Sequence, residues 1–85
     1  MHVQVLSTPG CAECAAAKRA LERIRPDYPV LQVEEIDVSE QPEVAARYGL
    51  LSAPGIVVDG ELVAAGHVSE AELRRKLDER AGAKR

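Results

Sequence analysis

The sequence predicts an α/β fold of order βαβαββα, with a four-stranded mixed sheet and helices on both faces. Three observations carry that reading. A β-rich run, His2 to Ser7, halts near Pro9-Gly10 and gives way to an amphipathic helix, after which Val30 to Asp37 returns to β-formers. A strand–helix–strand unit of this length implies a right-handed parallel crossover. Asp59-Gly60 separates two short apolar runs and is a strong signal for a two-residue hairpin, while Ser69 with Glu72 three residues on opens a final helix.

In order, the first strand alternates weakly and is rich in Val and Leu. The helix after it is expected from about Cys11 to Arg25. Cys14, Ala17, Leu21 and Ile24 recur at i, i+3, i+7 and i+10 as one apolar stripe, and Lys18, Arg19, Glu22 and Arg23 fill the solvent side. Pro26-Asp27-Tyr28-Pro29 is expected to stop it. Val30 to Asp37 forms the second strand. Ser39 is the expected N-cap of a short helix from Glu40 to Tyr48, with Pro42 tolerated in its first turn and Gly49 placed to end it left-handed. Val44, Ala45 and Tyr48 make its apolar face. Leu50 to Gly55 is a loop into the third strand, Ile56-Val57-Val58, and Glu61 to Ala65 is the fourth. The last helix runs from Glu70 to about Ala81, with Leu73 and Leu77 inward and the pairs Glu70–Arg74 and Glu72–Lys76 outward. From Ala81 to Arg85 the chain is expected to fray.

Composition excludes several functions. Eighty-five residues make one small domain, expected to span 1–85, whose core must be aliphatic because Trp and Phe are absent. Tyr28 and Tyr48 read as packing residues. The net charge of −3 is spread over interspersed signs with no basic stripe, so neither nucleic acid nor a membrane surface is an expected partner. Met1-His2-Val3-Gln4-Val5 lacks a signal-peptide pattern, and no apolar run reaches membrane-spanning length. The cytoplasm is the expected compartment and a monomer the expected state.

Both cysteines lie at the first strand–helix junction, in Gly10-Cys11-Ala12-Glu13-Cys14. Loop entropy explains little of such a pair, because a bridge across so short a loop contributes roughly 2 kcal/mol at most. Reactivity explains it better. A helix N-terminus offers unpaired N–H groups and about half a positive charge, which stabilise a thiolate. The stripe makes the two sulfurs unequal: Cys14 heads the buried face and Cys11 sits one turn earlier at the exposed tip. Cys11 is therefore read as the attacking thiol and Cys14 as the resolving one.

A second signature runs from Tyr48-Gly49-Leu50-Leu51-Ser52-Ala53-Pro54 into Val57-Val58-Asp59-Gly60-Glu61-Leu62, with Gly66 beyond. With these two signatures in this order, the chain resembles the thioredoxin superfamily in its small, glutaredoxin-sized form. The resemblance covers almost the whole chain. It implies that Pro54 is cis and lies against the dithiol, turning the Ala53 backbone toward Cys11 to pair with an extended substrate segment. Gly10 and Gly66 complete the implied substrate-binding surface. From the residues alone, Pro54 reads equally as a plain loop proline. Glu13 stands where thioredoxin-like reductants often carry Pro and strong oxidants His. Its carboxylate either opposes the Cys11 thiolate, making the dithiol a reductant, or points to water and does little. Gly10 and Val5 occupy the places of the superfamily's Trp and buried acid, so resolution by Cys14 would draw on water or another base. Ala12-Glu13 and the lone Gly66 depart from the glutaredoxin pattern and argue against glutathione as an obligate partner.

The resemblance implies a dithiol–disulfide oxidoreductase acting on protein or small-molecule disulfides and restored by an upstream disulfide reductase that draws electrons from a nicotinamide cofactor. No cofactor or metal of its own is expected. An alternative is a soft-metal carrier using the two thiolates for Cu(I) or Zn. Against it, Pro9 stands where such carriers have Met, and the chain ends hairpin-then-helix. A third alternative is an interaction module without turnover. His67 reads as a solvated loop histidine, a base near the site, or a third metal ligand. Lys18 and Arg19 read as solvated charges. Gly55 and Ala53 are small, which would leave the groove beside Cys11 open.

Overall fold

The computed structural model describes residues 1–82. Its elements are β1 (His2–Ser7), α1 (Ala12–Ile24), β2 (Gln32–Asp37), α2 (Pro42–Tyr48), β3 (Gly55–Val58), β4 (Glu61–Ala65) and α3 (Glu70–Gly82). The sheet order is β2-β1-β3-β4, with β1 parallel to β2 and antiparallel to β3, and β3 antiparallel to β4. The chain thus enters at an inner strand, crosses to one edge, and returns to the other side of β1.

Alternation along the strands splits the core into two layers. Val3, Val5, Ile56 and Val58 face Ala17, Ala20, Leu21 and Ile24 of α1 and Leu73 and Leu77 of α3. Leu6, Ile36 and Val57 face the opposite way and pack with Val38 and Val44, the latter from α2. Helices therefore cover both faces of a mixed sheet. Asp59 and Gly60 both take positive φ (49° and 87°), the backbone twist that a two-residue hairpin requires.

β3 starts one residue early, at Gly55, and three other boundaries differ from expectation for local reasons. α1 ends at Ile24, one residue before the expected Arg25, and the chain goes on as a 3-10 turn over Arg25–Asp27 with Pro26 second in it. β2 begins at Gln32, not Val30. The Leu31 N–H is bonded to the Tyr28 carbonyl at 2.8 Å, which closes a turn and leaves Val30 70% exposed. Ser39 does not cap α2. Its hydroxyl and N–H both donate to the Asp37 carboxylate, at 2.6 and 2.9 Å, so the helix starts three residues later at Pro42 with Gln41 before it. Gly49 ends α2 at φ 62°, as expected.

In α3 the Ser69 hydroxyl accepts the Glu72 N–H at 3.1 Å, and Glu70 pairs with Arg74. Glu70 also binds Arg23 of α1 at 2.7 Å, and Arg74 binds Asp27 at 2.8 Å, tying the two helices together. The expected fraying past Ala81 concerns a helix that continues to Gly82; residues 83–85 lie outside the described residues.

Candidate active site

β1 delivers the chain to Thr8-Pro9-Gly10, where Gly10 turns it at φ 72° so that α1 can pack back on the sheet. Cys11 is the N-cap, in an extended conformation, and its sulfur accepts the Cys14 N–H at 3.0 Å. The sulfur thus stands where a capping oxygen usually does, over one of the helix's unpaired N–H groups. Cys11 and Cys14 are joined as a disulfide with a Cα–Cα separation of 5.2 Å. Cys11 is half-buried, while Cys14, at the head of the apolar stripe, is 3% exposed.

An open groove of ≈ 440 Å³ lies beside the pair, between the Thr8–Cys11 loop and the side of α1 that bears Ala15 and Lys18. Its far wall is Glu35 of β2. Lys18 binds both Glu35 oxygens at 3.0 Å, and the Ser7 hydroxyl donates to one of them at 2.9 Å. These bonds, Lys18 first, hold the Glu35 carboxyl below the usual carboxylate range. Lys18 is therefore engaged with the wall of the dithiol groove rather than simply solvated. Its position four residues after Cys14 was the available signal, since i and i+4 share a helix face. Glu35 carried no such signal.

The Ala53–Pro54 bond is cis, and Pro54 is fully buried. Its carbonyl accepts the Gly66 N–H at 2.8 Å, so two of the expected site residues meet directly. Ala53 lines a shallow notch of ≈ 120 Å³ with Thr8, Val38, Ala45, Leu50, Leu51 and Ser52. Among the described residues, Ala53 and Pro54 do not line the dithiol groove itself; Thr8 lines both hollows and joins them. Leu51, at the lip of the notch, is 99% exposed.

Gly55 does not keep a groove open, contrary to expectation. A Cβ there would sit 2.7 Å from Leu50 Cδ1 and 3.4 Å from Leu6 Cβ, so the missing side chain makes room for buried packing. Glu13 does not simply point to water: its carboxylate meets Nδ1 of His67, from the loop after β4. That pair raises the His67 imidazole above its ordinary value, through the hydrogen bond first and the charge second. Among the described residues, no group of three or more His, Cys, Asp or Glu could hold a metal ion, and no helix is long and apolar enough to cross a membrane.

Two neighbouring cysteines at a helix N-terminus, one accessible and one beneath it, define a dithiol–disulfide oxidoreductase when carried on this fold. Residues 1–78 match the family model for the thioredoxin domain. The chain is 32% identical to a thioredoxin of Methanocaldococcus jannaschii over 81 residues, covering 94% of this chain and 95% of that one. A probable thioredoxin of Methanothermobacter thermautotrophicus is 26% identical over 80 residues, 93% and 94% of the two chains. The fold is similar to that of mitochondrial thioredoxin 3 of Saccharomyces cerevisiae, with TM-score 0.76 and 21% identity over 92% of this chain and 76% of that one. It is similar again to a mutant thioredoxin of Halobacterium salinarum, with TM-score 0.76, 24% identity, and 92% and 72% coverage. The chain belongs to the thioredoxin family.

Proposed function

We propose that this oxidoreductase works as a reductant, with Cys11 attacking and Cys14 resolving. The Cys11 thiolate attacks one sulfur of a partner disulfide, forming a mixed disulfide and expelling the partner's other sulfur as a thiolate. Cys14 then gives up its proton and attacks the Cys11 sulfur. The bond to the partner breaks, the second partner thiolate leaves, and the Cys11–Cys14 disulfide forms. Two electrons have passed to the substrate, and an upstream disulfide reductase drawing on a nicotinamide cofactor returns them.

The observation that carries this reading is the asymmetry of the pair: a half-buried N-cap sulfur at Cys11 over a Cys14 that is 3% exposed. Attack needs access, whereas resolution needs only a neighbouring sulfur. Glu13 favours reduction, since a carboxylate beside a forming thiolate withholds the stabilisation that makes strong oxidants. Protein disulfides are the proposed substrates. The exposed Leu51 and the notch it shares with Ala53 adjoin the dithiol groove through Thr8, which gives a polypeptide an apolar seat beside the reacting sulfurs. Gly10 and Ala53 are the backbone positions along which the substrate lies, with the buried Pro54 and its partner Gly66 fastened behind them. The same reading has the chain acting as a monomeric single domain in the cytoplasm.

Disulfide reduction of an insulin-type substrate by wild type, Cys11→Ser and Cys14→Ser tests it. Turnover is expected to fall to background in both variants. Cys14→Ser should trap a mixed disulfide, and Cys11→Ser should not. The reverse pattern of trapping would exchange the two roles.

A further inference from the structure

The loop between β4 and α3 is fastened at two points. Gly66, at φ 78°, donates its N–H to the Pro54 carbonyl, and the next residue, His67, reaches Glu13 in the first turn of α1. It thereby links the cis-proline to Glu13, one of the two residues between the cysteines. The Glu13–His67 pair is largely exposed, with side chains at 51% and 77%, so it adds little to the stability of the fold. What distinguishes it is position. The Glu13 carboxylate belongs to the helix turn on which the Cys11 thiolate must form, and two negative charges there oppose each other. The charged groups acting on the His67 ring are Glu13 from α1 and, more weakly, Glu72 from α3.

We propose that His67 is a positioning residue of the dithiol: as an imidazolium it offsets the Glu13 carboxylate beside Cys11, and as a neutral ring it leaves that carboxylate to oppose the thiolate. The inference rests on Cys11 being the attacking thiol. Its sign follows from the pair. Glu13 raises the affinity of the ring for its proton, so the offset is complete on the acid side and is lost as pH rises through the raised value. The reactivity of Cys11 should therefore climb with pH less steeply than a single titrating thiol would.

The test uses the full chain carrying Cys14→Ser, so that Cys11 is the only thiol. Thiolate absorbance and the rate of alkylation by iodoacetamide are followed against pH, with His67→Gln, His67→Lys or Glu13→Gln added. Near about pH 6, His67→Gln should slow alkylation roughly two- to fivefold, while the alkaline limit is unchanged. His67→Lys, permanently charged, should keep the faster rate and sharpen the pH profile to that of one group. With Glu13→Gln already present, His67→Gln should change little. If Cys11 alkylates readily but the His67→Gln profile superimposes on its parent, this inference fails and the assignment of Cys11 stands. If Cys11 shows no reactive thiolate in any of these proteins, the assignment beneath it fails as well.

Discussion

Replacing Leu21 with Ala separates what holds the molecule together from what makes it reactive. Leu21 is fully buried, midway along the stripe that Cys14 begins, and it packs in the layer of Val3, Val5, Ile56, Leu73 and Leu77. Truncating a buried leucine removes its transfer free energy and leaves a cavity, together costing about 3 to 5 kcal/mol. A domain of this length has a total stability of roughly 4 to 13 kcal/mol, so the variant gives up a large share of it. At about 4 to 8 °C for each kcal/mol, the melting temperature should fall by roughly 12 °C or more. The chain has no Trp, so urea unfolding is best followed by far-ultraviolet circular dichroism. The midpoint should drop with the denaturant slope unchanged. The dithiol potential should hold, because the cluster that packs around Leu21 includes neither cysteine. A loss below about 1 kcal/mol would falsify the placement of Leu21 at the centre of the packing, since exposed sites typically show changes within about 0.5 kcal/mol. A shifted potential would mean that the two redox forms lose unequal amounts, and would couple the core to the sulfurs.

Leu51→Glu should slow reduction of protein disulfides severalfold and leave a small dialkyl disulfide unaffected; equal slowing of both would remove the apolar seat from the mechanism. Ser69→Ala deletes the bond to the Glu72 N–H and should cost about 1 kcal/mol in urea unfolding. The Glu35 carboxyl is held low by Lys18 and Ser7, so its contribution to stability is present above its unfolded value and lost as pH falls through the folded one. Glu35→Gln should accordingly flatten the acid limb of the stability–pH profile, and a profile identical to wild type would mean the groove wall carries no such linkage. The potential of the Cys11–Cys14 pair, measured against a glutathione buffer, should lie nearer about −270 mV than about −120 mV; the opposite result would make the protein an oxidant.

What sequence reasoning reached and what it missed divide by distance along the chain. The Asp59-Gly60 hairpin, the Gly49 terminus and the Ser69 cap rest on chemistry within a few residues, and each stands where expected. The inequality of Cys11 and Cys14 followed from helical periodicity and is likewise local. Ser39 misled because Asp37 competes for its hydroxyl, two residues away, and the tighter local bond wins. Val30 misled because β-propensity is a statement about packing, and the turn from Tyr28 to Leu31 leaves Val30 nothing to pack on. The contacts that surround the dithiol were out of reach: Lys18 and Glu35 are 17 positions apart, Glu13 and His67 54. Nothing in the composition of an exposed ion pair announces its partner.

The order of the strands also sets when the parts of the site are all present during synthesis. Cys11 and Cys14 leave the ribosome early, but β1 stays unpaired on its inner flank until β3 arrives and Leu6 finds Gly55. The His67 loop comes later still. Until then the two cysteines sit on a half-built sheet, without the Gly66–Pro54 bond or the Glu13–His67 contact. The contacts that complete the site come from the part of the chain from Pro54 onward, which contains neither cysteine.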